Sequence, residues 1–264
     1  MNMELPVLKE FVNQKNVFVA AHRGASGTHP ENTIAAYEEA LKSGADMIEV
    51  DVQMTLDKRI ICFHDSQLGR TTRGRKRINQ LPYKALRNKD VGTWYDKYFH
   101  RERIPTLEDA IDLIKGKAYL NIEIKSRKKE FNKERARRVY EIVKKMDYLE
   151  YTLFGSFDHK LLKIMKEHDE NIHTAAIKVP TSHLMPSEIK EKTGCEAFVC
   201  SIDEVNEEID RDCKENGIYL GVYSVDNWYE MERIKKYQVK TIVSNFPSTT
   251  VPLLYKYFPQ KVEF

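Results

Sequence analysis

The chain has 264 residues, 41% of them hydrophobic and 31% charged, with a formal net charge of +3. That balance reads as a soluble globular protein, excludes a disordered or fibrous one, and gives no reason to expect a nucleic-acid partner. No run reaches the roughly 18 to 20 apolar residues of a membrane span, so no stable membrane insertion is expected.

The stretch Met1–Lys15 mixes Glu, Lys and Asn with its apolar residues and lacks an uninterrupted apolar segment, so a cytoplasmic location is the expectation. Short apolar, β-branched runs then predict strands at Val17–His22, Met47–Gln53, Ile60–Asp65, Tyr119–Lys125, Tyr151–Phe157, Ile172–Ile177, Ala197–Cys200, Tyr219–Val225 and Thr241–Asn245. Helical patterns intervene at Thr33–Ser43, Thr106–Lys115, Lys133–Met146, Asp158–His168, Val205–Asn216 and Trp228–Tyr237. Strand, helix, strand repeated along a chain implies parallel pairing.

Nine strands are one too many for an eight-stranded barrel, and connection length identifies the extra one. The six residues Met54–Arg59 are too few for a parallel crossover, so Ile60–Asp65 should fold back as a hairpin on Met47–Gln53. Eight parallel strands remain, which predicts a (β/α)8 TIM barrel in a single domain. Residues 66–103 break the rhythm and are expected to form an insertion. It holds the basic run Arg70–Arg77, read as a solvated face or as a guide for an anionic substrate, and the aromatic group Trp94, Tyr95, Tyr98 and Phe99. Of these, Trp94, Tyr95 and Phe99 are expected to pack the insertion against the barrel, with lining a pocket as the alternative. The cysteines Cys62, Cys195, Cys200 and Cys213 form no CxxC pair and match no zinc spacing.

Glu49 and Asp51 carry the most informative signal. In Met47-Ile48-Glu49-Val50-Asp51-Val52 the period of two aims both carboxylates at one face of an otherwise apolar strand. Like charges held so close are tolerated only by sharing a proton or binding a cation. Asn121-Ile122-Glu123-Ile124-Lys125 repeats the pattern with Glu123 and Lys125. Three carboxylates offer hard oxygen ligands, which suit Ca²⁺ or Mg²⁺ better than zinc. The bland alternative is a buried salt-bridge network with Arg23 and Lys125. His22 and His64, each ending an apolar run, are candidates for an acid/base pair, because imidazole titrates near the working pH. Arg23 and Lys125 are candidates to hold phosphoryl oxygens. The other six histidines have no comparable company and are expected at structural or surface positions. All the candidates fall at strand C-terminal ends or in the hairpin beside one, where this fold places its chemistry.

Together these residues resemble the glycerophosphodiester phosphodiesterase family over nearly the whole chain. His22-Arg23-Gly24, Pro30-Glu31-Asn32-Thr33, Glu49-Val50-Asp51-Val52, Phe63-His64-Asp65, Arg70-Thr71-Thr72, Ile104-Pro105-Thr106-Leu107-Glu108, Asn121–Lys125 and Ser156-Phe157-Asp158 follow in the family's order. The resemblance implies a TIM barrel with a small insertion after the second histidine. It implies His22 and His64 as acid/base residues, Glu49, Asp51 and Glu123 as ligands of one divalent cation, and Arg23 and Lys125 on the phosphate. The implied reaction splits a small-molecule glycerophosphodiester into sn-glycerol 3-phosphate and an alcohol. Oligomeric state and preferred head group are left open. Two departures stand out: Tyr223-Ser224-Val225-Asp226 replaces the Trp-Thr-Val-Asn of many members, and Ser244-Asn245-Phe246-Pro247 replaces Thr-Asp-x-Pro. Both are expected at the pocket mouth, where they would bear on substrate preference rather than chemistry.

A lysophospholipase D-type or sphingomyelinase D-like enzyme on the same barrel shares the histidine and carboxylate core. Pro30–Thr33 and Ile104–Leu107 favour the glycerophosphodiesterase reading. A non-catalytic phosphate-binding barrel is disfavoured because no core position is missing.

Overall fold

Apolar residues that are buried on both faces of a strand call for helices outside and a packed interior within, and the fold supplies both. The computed structural model describes residues 5–125 and 129–258; residues 1–4, the start of the N-terminal stretch considered above, lie outside them. Its elements in order are α1 (Leu8–Gln14), β1 (Phe18–Ala21), α2 (Ile34–Lys42), β2 (Met47–Met54), β3 (Ile60–Cys62), α3 (Leu107–Ile114), β4 (Tyr119–Ile124), α4 (Lys129–Lys145), β5 (Thr152–Ser156), α5 (His159–His168), β6 (His173–Ile177), α6 (Pro186–Thr193), β7 (Ala197–Ser201), α7 (Glu207–Glu215), β8 (Tyr219–Tyr223), α8 (Trp228–Ile234), β9 (Val239–Ser244) and α9 (Pro247–Tyr257).

Eight parallel strands close on themselves in the order β1, β9, β8, β7, β6, β5, β4, β2, with β1 returning to β2. β3 lies outside the ring as the expected hairpin, antiparallel to β2 with Val52 opposite Cys62 and Met54 opposite Ile60. This is a TIM barrel. The expected strands appear with ends that coincide or are shifted by up to three residues; β3 stops at Cys62, before His64.

Along β2 the period of two sorts the side chains. Ile48, Val50 and Val52 join Tyr37 of α2 and Leu107 and Ile111 of α3 in the layer between strands and helices. The opposite face begins with Met47, which packs with Phe18, Ala20, Tyr119 and Val243 at the barrel floor. It continues upward with Glu49 and Asp51. α1 seals the floor from below through Leu8 and Val12, and the Tyr119 hydroxyl donates to the Pro6 carbonyl at 2.7 Å. The interior is thus apolar at the strand N-termini and acidic toward the C-terminal mouth.

Between β3 and α3 the insertion packs Leu68, Ile78, Leu86, Val91 and Ile104 onto Ile61 and Phe63. Tyr95 ties it to the β1 side by donating from its hydroxyl to the Gly27 carbonyl at 2.7 Å, and Phe99 packs on His29 with ring centroids 5.0 Å apart. All four cysteines are buried free thiols. Among the described residues no helix is long and apolar enough to cross a membrane.

Candidate active site

β2 and β4 are neighbours in register, with Asp51 opposite Glu123 and Glu49 opposite Asn121. The shared inward face therefore brings Glu49, Asp51 and Glu123 together. All three are buried, and one carboxylate oxygen from each lies within 4.8 Å of the others.

The turn after β1 completes one side. Arg23 (φ 56°) and Gly24 (φ 77°) are both left-handed. For Arg23 that conformation is strained, and it points the backbone N–H at Glu49 Oε2, 2.7 Å away. A Cβ on Gly24 would stand 2.6 Å from the Ala36 backbone, so α2 can approach this turn only over glycine. The Arg23 side chain meets Asp51 through Nε at 3.1 Å and Glu31 through Nη1 at 3.0 Å. Asn32 donates from Nδ2 to Asp51 Oδ2 at 2.9 Å and accepts from the Asp51 N–H at 3.1 Å. The next residue, Thr33, caps α2 by accepting from the Ala36 N–H. Pro30–Thr33 thus serves the site and the helix start at once.

Lys125 pairs with Asp51 Oδ1 at 2.7 Å and makes a close ion pair with Glu123. Burial alone would raise the Asp51 pKa, but Lys125 and then Arg23 hold it well below the ordinary carboxylate range. Glu49 goes the other way: burial, with Asp51 and Glu123 adding their charges, pushes it well above that range. Its Oε1 is buried with no hydrogen-bond partner among the described residues. The salt-bridge alternative accounts for Asp51 and Glu123 and leaves Glu49 unexplained, since among the described residues no side-chain cation lies within ion-pair distance of it. An acidic cage of hard oxygens, with one orphaned oxygen and three carboxyl groups against the two cationic side chains Arg23 and Lys125, fits a metal cation.

The two histidines stand at this cluster's edge, each anchored through Nδ1. His22, one residue beyond β1, contacts Asn245 Oδ1 at 2.7 Å. His64, beyond β3, contacts Asp65 Oδ1 at 2.7 Å, and its carbonyl accepts from Gln53 Nε2 at 2.9 Å. Among the described residues neither Nε2 has a hydrogen-bond partner, so each is available to meet a ligand. Burial lowers both pKa values, most directly assisted by the Arg23 charge for His22 and opposed by Asp51 for His64.

The seven candidates lie in one locality, and sequence reasoning missed their supports. Arg70, read as part of a solvated basic face, is corrected by the structure. Its guanidinium forks onto both oxygens of Glu31 at 2.7 Å and onto Asp65 at 2.9 and 3.1 Å. Only neighbours such as Arg73, Arg75 and Arg77 remain simply exposed. Asn245, expected at the pocket mouth, touches the His22 ring. The run Pro30–Thr33 was visible, but nothing in it alone assigned Asn32 to Asp51.

Comparison with known proteins gives a consistent result. The model of the "Glycerophosphoryl diester phosphodiesterase family" matches residues 22–249. A protein named glycerophosphodiester phosphodiesterase from Caldanaerobacter subterraneus is 31% identical over 239 residues, covering 90% of this chain and 98% of the relative. An Oleispira antarctica phosphodiesterase, solved in complex with the product sn-glycerol-3-phosphate, has a TM-score of 0.81 at 26% identity, covering 88% of this chain and 94% of that one. A glycerophosphodiester phosphodiesterase from Parabacteroides distasonis has a TM-score of 0.78 at 26% identity, covering 92% and 98%.

Proposed function

The chain belongs to the glycerophosphoryl diester phosphodiesterase family, and from that premise we propose that it hydrolyses glycerophosphodiesters to sn-glycerol 3-phosphate and an alcohol. The observation that carries the reading is the buried acidic cage, with a Glu49 oxygen that has no partner among the described residues, flanked by two imidazoles that are both anchored through Nδ1. Glu49, Asp51 and Glu123 would hold one divalent cation, Ca²⁺ or Mg²⁺, which when bound supplies Lewis-acid polarisation of the phosphoryl group and a template for the glycerol end.

Arg23 and Lys125 would hold the phosphoryl oxygens and offset the charge that builds on them. One histidine takes the proton from the glycerol hydroxyl next to the diester at its Nε2. That hydroxyl attacks phosphorus and the P–O bond to the leaving alcohol breaks. The other histidine gives the alcohol its proton. The resulting cyclic phosphate is opened by water, with the histidines exchanging roles, so each ends the cycle in its starting protonation state. Asp51, pinned ionised by Lys125 and Arg23, favours the imidazolium form of both rings when either holds the transferred proton.

The test is release of glycerol 3-phosphate from glycerophosphocholine, glycerophosphoethanolamine and glycerophosphoglycerol, after chelator treatment and after Ca²⁺ or Mg²⁺ is added back. Restored turnover on these water-soluble substrates is expected. Equal turnover of diesters lacking the vicinal hydroxyl would refute the cyclic route, and preference for lysophosphatidylcholine would reassign the substrate class.

A further inference from the structure

The two departures from the family pattern meet each other in space. Asn245 follows β9 and Asp226 follows β8. Asp226 Oδ2 accepts from Asn245 Nδ2 at 2.7 Å, while Asp226 Oδ1 accepts from the Asn245 backbone N–H at 2.6 Å and from the Ser244 hydroxyl at 2.9 Å. One carboxylate therefore grips both the main chain and the side chain of Asn245. An amide presents its oxygen on one side and its NH₂ on the other. With the NH₂ bound to Asp226, the oxygen has to face His22 and Ser26, whose hydroxyl donates to it at 3.0 Å. A carbonyl oxygen only accepts, so the His22 Nδ1 must carry a hydrogen, and in the neutral ring Nε2 is bare.

In this pair the carboxylate stands one hydrogen bond away from the histidine and the amide touches it. We propose that Asp226 and Asn245 form a positioning pair that fixes the His22 tautomer through a neutral amide, with the carboxylate held one hydrogen bond further from the ring. The inference rests on the reading of His22 as a proton-transfer residue. Neither Asp226 nor Asn245 is assigned contact with substrate; both act through His22.

The charge displacement has a consequence for the reaction. A carboxylate on Nδ1 would stabilise the imidazolium directly, whereas an amide oxygen does so only as a dipole. The other charges facing His22 are Arg23 and Lys125, which disfavour its protonation, and Asp51, which favours it; burial adds to the first two. His22 is thereby set as a weaker base and a readier proton donor than a carboxylate-backed imidazole would be.

Three variants and one direct measurement test this. In Asp226→Asn the Asn245 amide loses its orienting acceptor, and kcat should fall about tenfold at nearly constant KM. Asn245→Asp places two carboxylates within bonding distance and should fall further. The double variant D226N/N245D restores a hydrogen-bonded pair in the opposite order. It should recover most of the lost kcat, with the limb of its kcat/KM profile that reports His22 (acidic if His22 is the base, alkaline if it is the acid) about one pH unit higher, because a carboxylate now touches the ring. A role confined to holding the β8 and β9 loops together would restore rate without moving that limb. Ring ¹⁵N shifts of the wild-type protein, assigned against His22→Ala, should show Nδ1–H with bare Nε2 at high pH. The opposite tautomer, undiminished turnover in folded Asp226→Asn, or a folded double variant with no recovery would each overturn the pairing. Full activity in His22→Ala would instead remove the reading beneath it, and the ¹⁵N result would still report on the pairing itself.

Discussion

His22 and His64 serve one acidic cluster from supports of different construction. The His22 support is assembled from consecutive barrel strands: β9 delivers Asn245, β8 delivers Asp226, and the contact to the ring is a neutral amide. The His64 support is ionic and lies nearer water. Asp65 is clamped by Arg70, Arg70 by Glu31, and Glu31 returns to Arg23, while the side chains of His64 and Arg70 are 32% and 43% exposed. A tertiary scaffold thus fixes one imidazole, and a chain of salt bridges anchored in the insertion fixes the other. Hydrogen bonds inside the barrel are insensitive to ionic strength, whereas partly exposed ion pairs are screened by it. The two halves of the site should accordingly fail under different conditions.

The largest expected effect lies beneath both halves. Glu49→Gln keeps the shape of the side chain and removes its charge, so both histidines would face a cage that no longer binds a cation. Calorimetric titration with Ca²⁺ or Mg²⁺ should show the loss of binding, and kcat/KM should drop about a thousandfold or more. Stability should move the other way. A carboxyl whose folded pKa is raised destabilises the native state as pH climbs past its unfolded value of about 4.3. In the absence of cation, Glu49→Gln should therefore melt higher than the wild type at pH 7 to 8. A lower melting temperature would mean that Glu49 is a structural residue and that the salt-bridge reading is correct after all.

Next in size are the histidines themselves. His22→Ala and His64→Ala should each reduce kcat by about 10² to 10⁴. If they act as one acid/base unit, the double variant should be hardly worse than either single one, since groups that work together are not additive. Independent, multiplying losses would break the symmetry drawn between them and leave one as a binding residue.

How much of this was legible follows the same division. The strand pattern of β2 and β4 announced the carboxylate cluster because burial and period two are local properties, and hairpin length alone removed β3 from the ring. Three helices escaped. α1 has only seven residues, α6 starts on Pro186 and is largely polar, and α9 carries Pro252 inside it. Each gets its definition from tertiary packing rather than a strong local signal. The supports of the histidines were illegible for a related reason. His22 and Asn245 stand 223 positions apart, and Glu31 and Arg70 stand 39 apart. A single sequence carries no statement of such pairings, although the coincidence of two departures at Asp226 and Asn245 was a signal that could have linked them.

The smallest expected effect tests the ionic half alone. Arg70→Ala should release Asp65 and loosen the His64 ring, lowering kcat by about tenfold at low salt, in keeping with a partly exposed support. Raising ionic strength should narrow the gap between wild type and variant, while leaving any Asp226→Asn defect unchanged. The acid response gives the same reading in stability. Burial alone would raise Glu31 and Asp65, but hydrogen bonding to Arg70 leads the interactions that hold both below their ordinary values. A depressed carboxylate contributes stability above its unfolded pKa, and that contribution is lost as pH falls through the folded value. The melting difference between wild type and Arg70→Ala should be about 2 to 4 °C near neutrality and should close as the pH drops below about 4. A gap that stays constant across that range would mean that Arg70 stabilises through its packing over Trp94, 5.9 Å from the ring centre, and not through the salt bridges that frame His64.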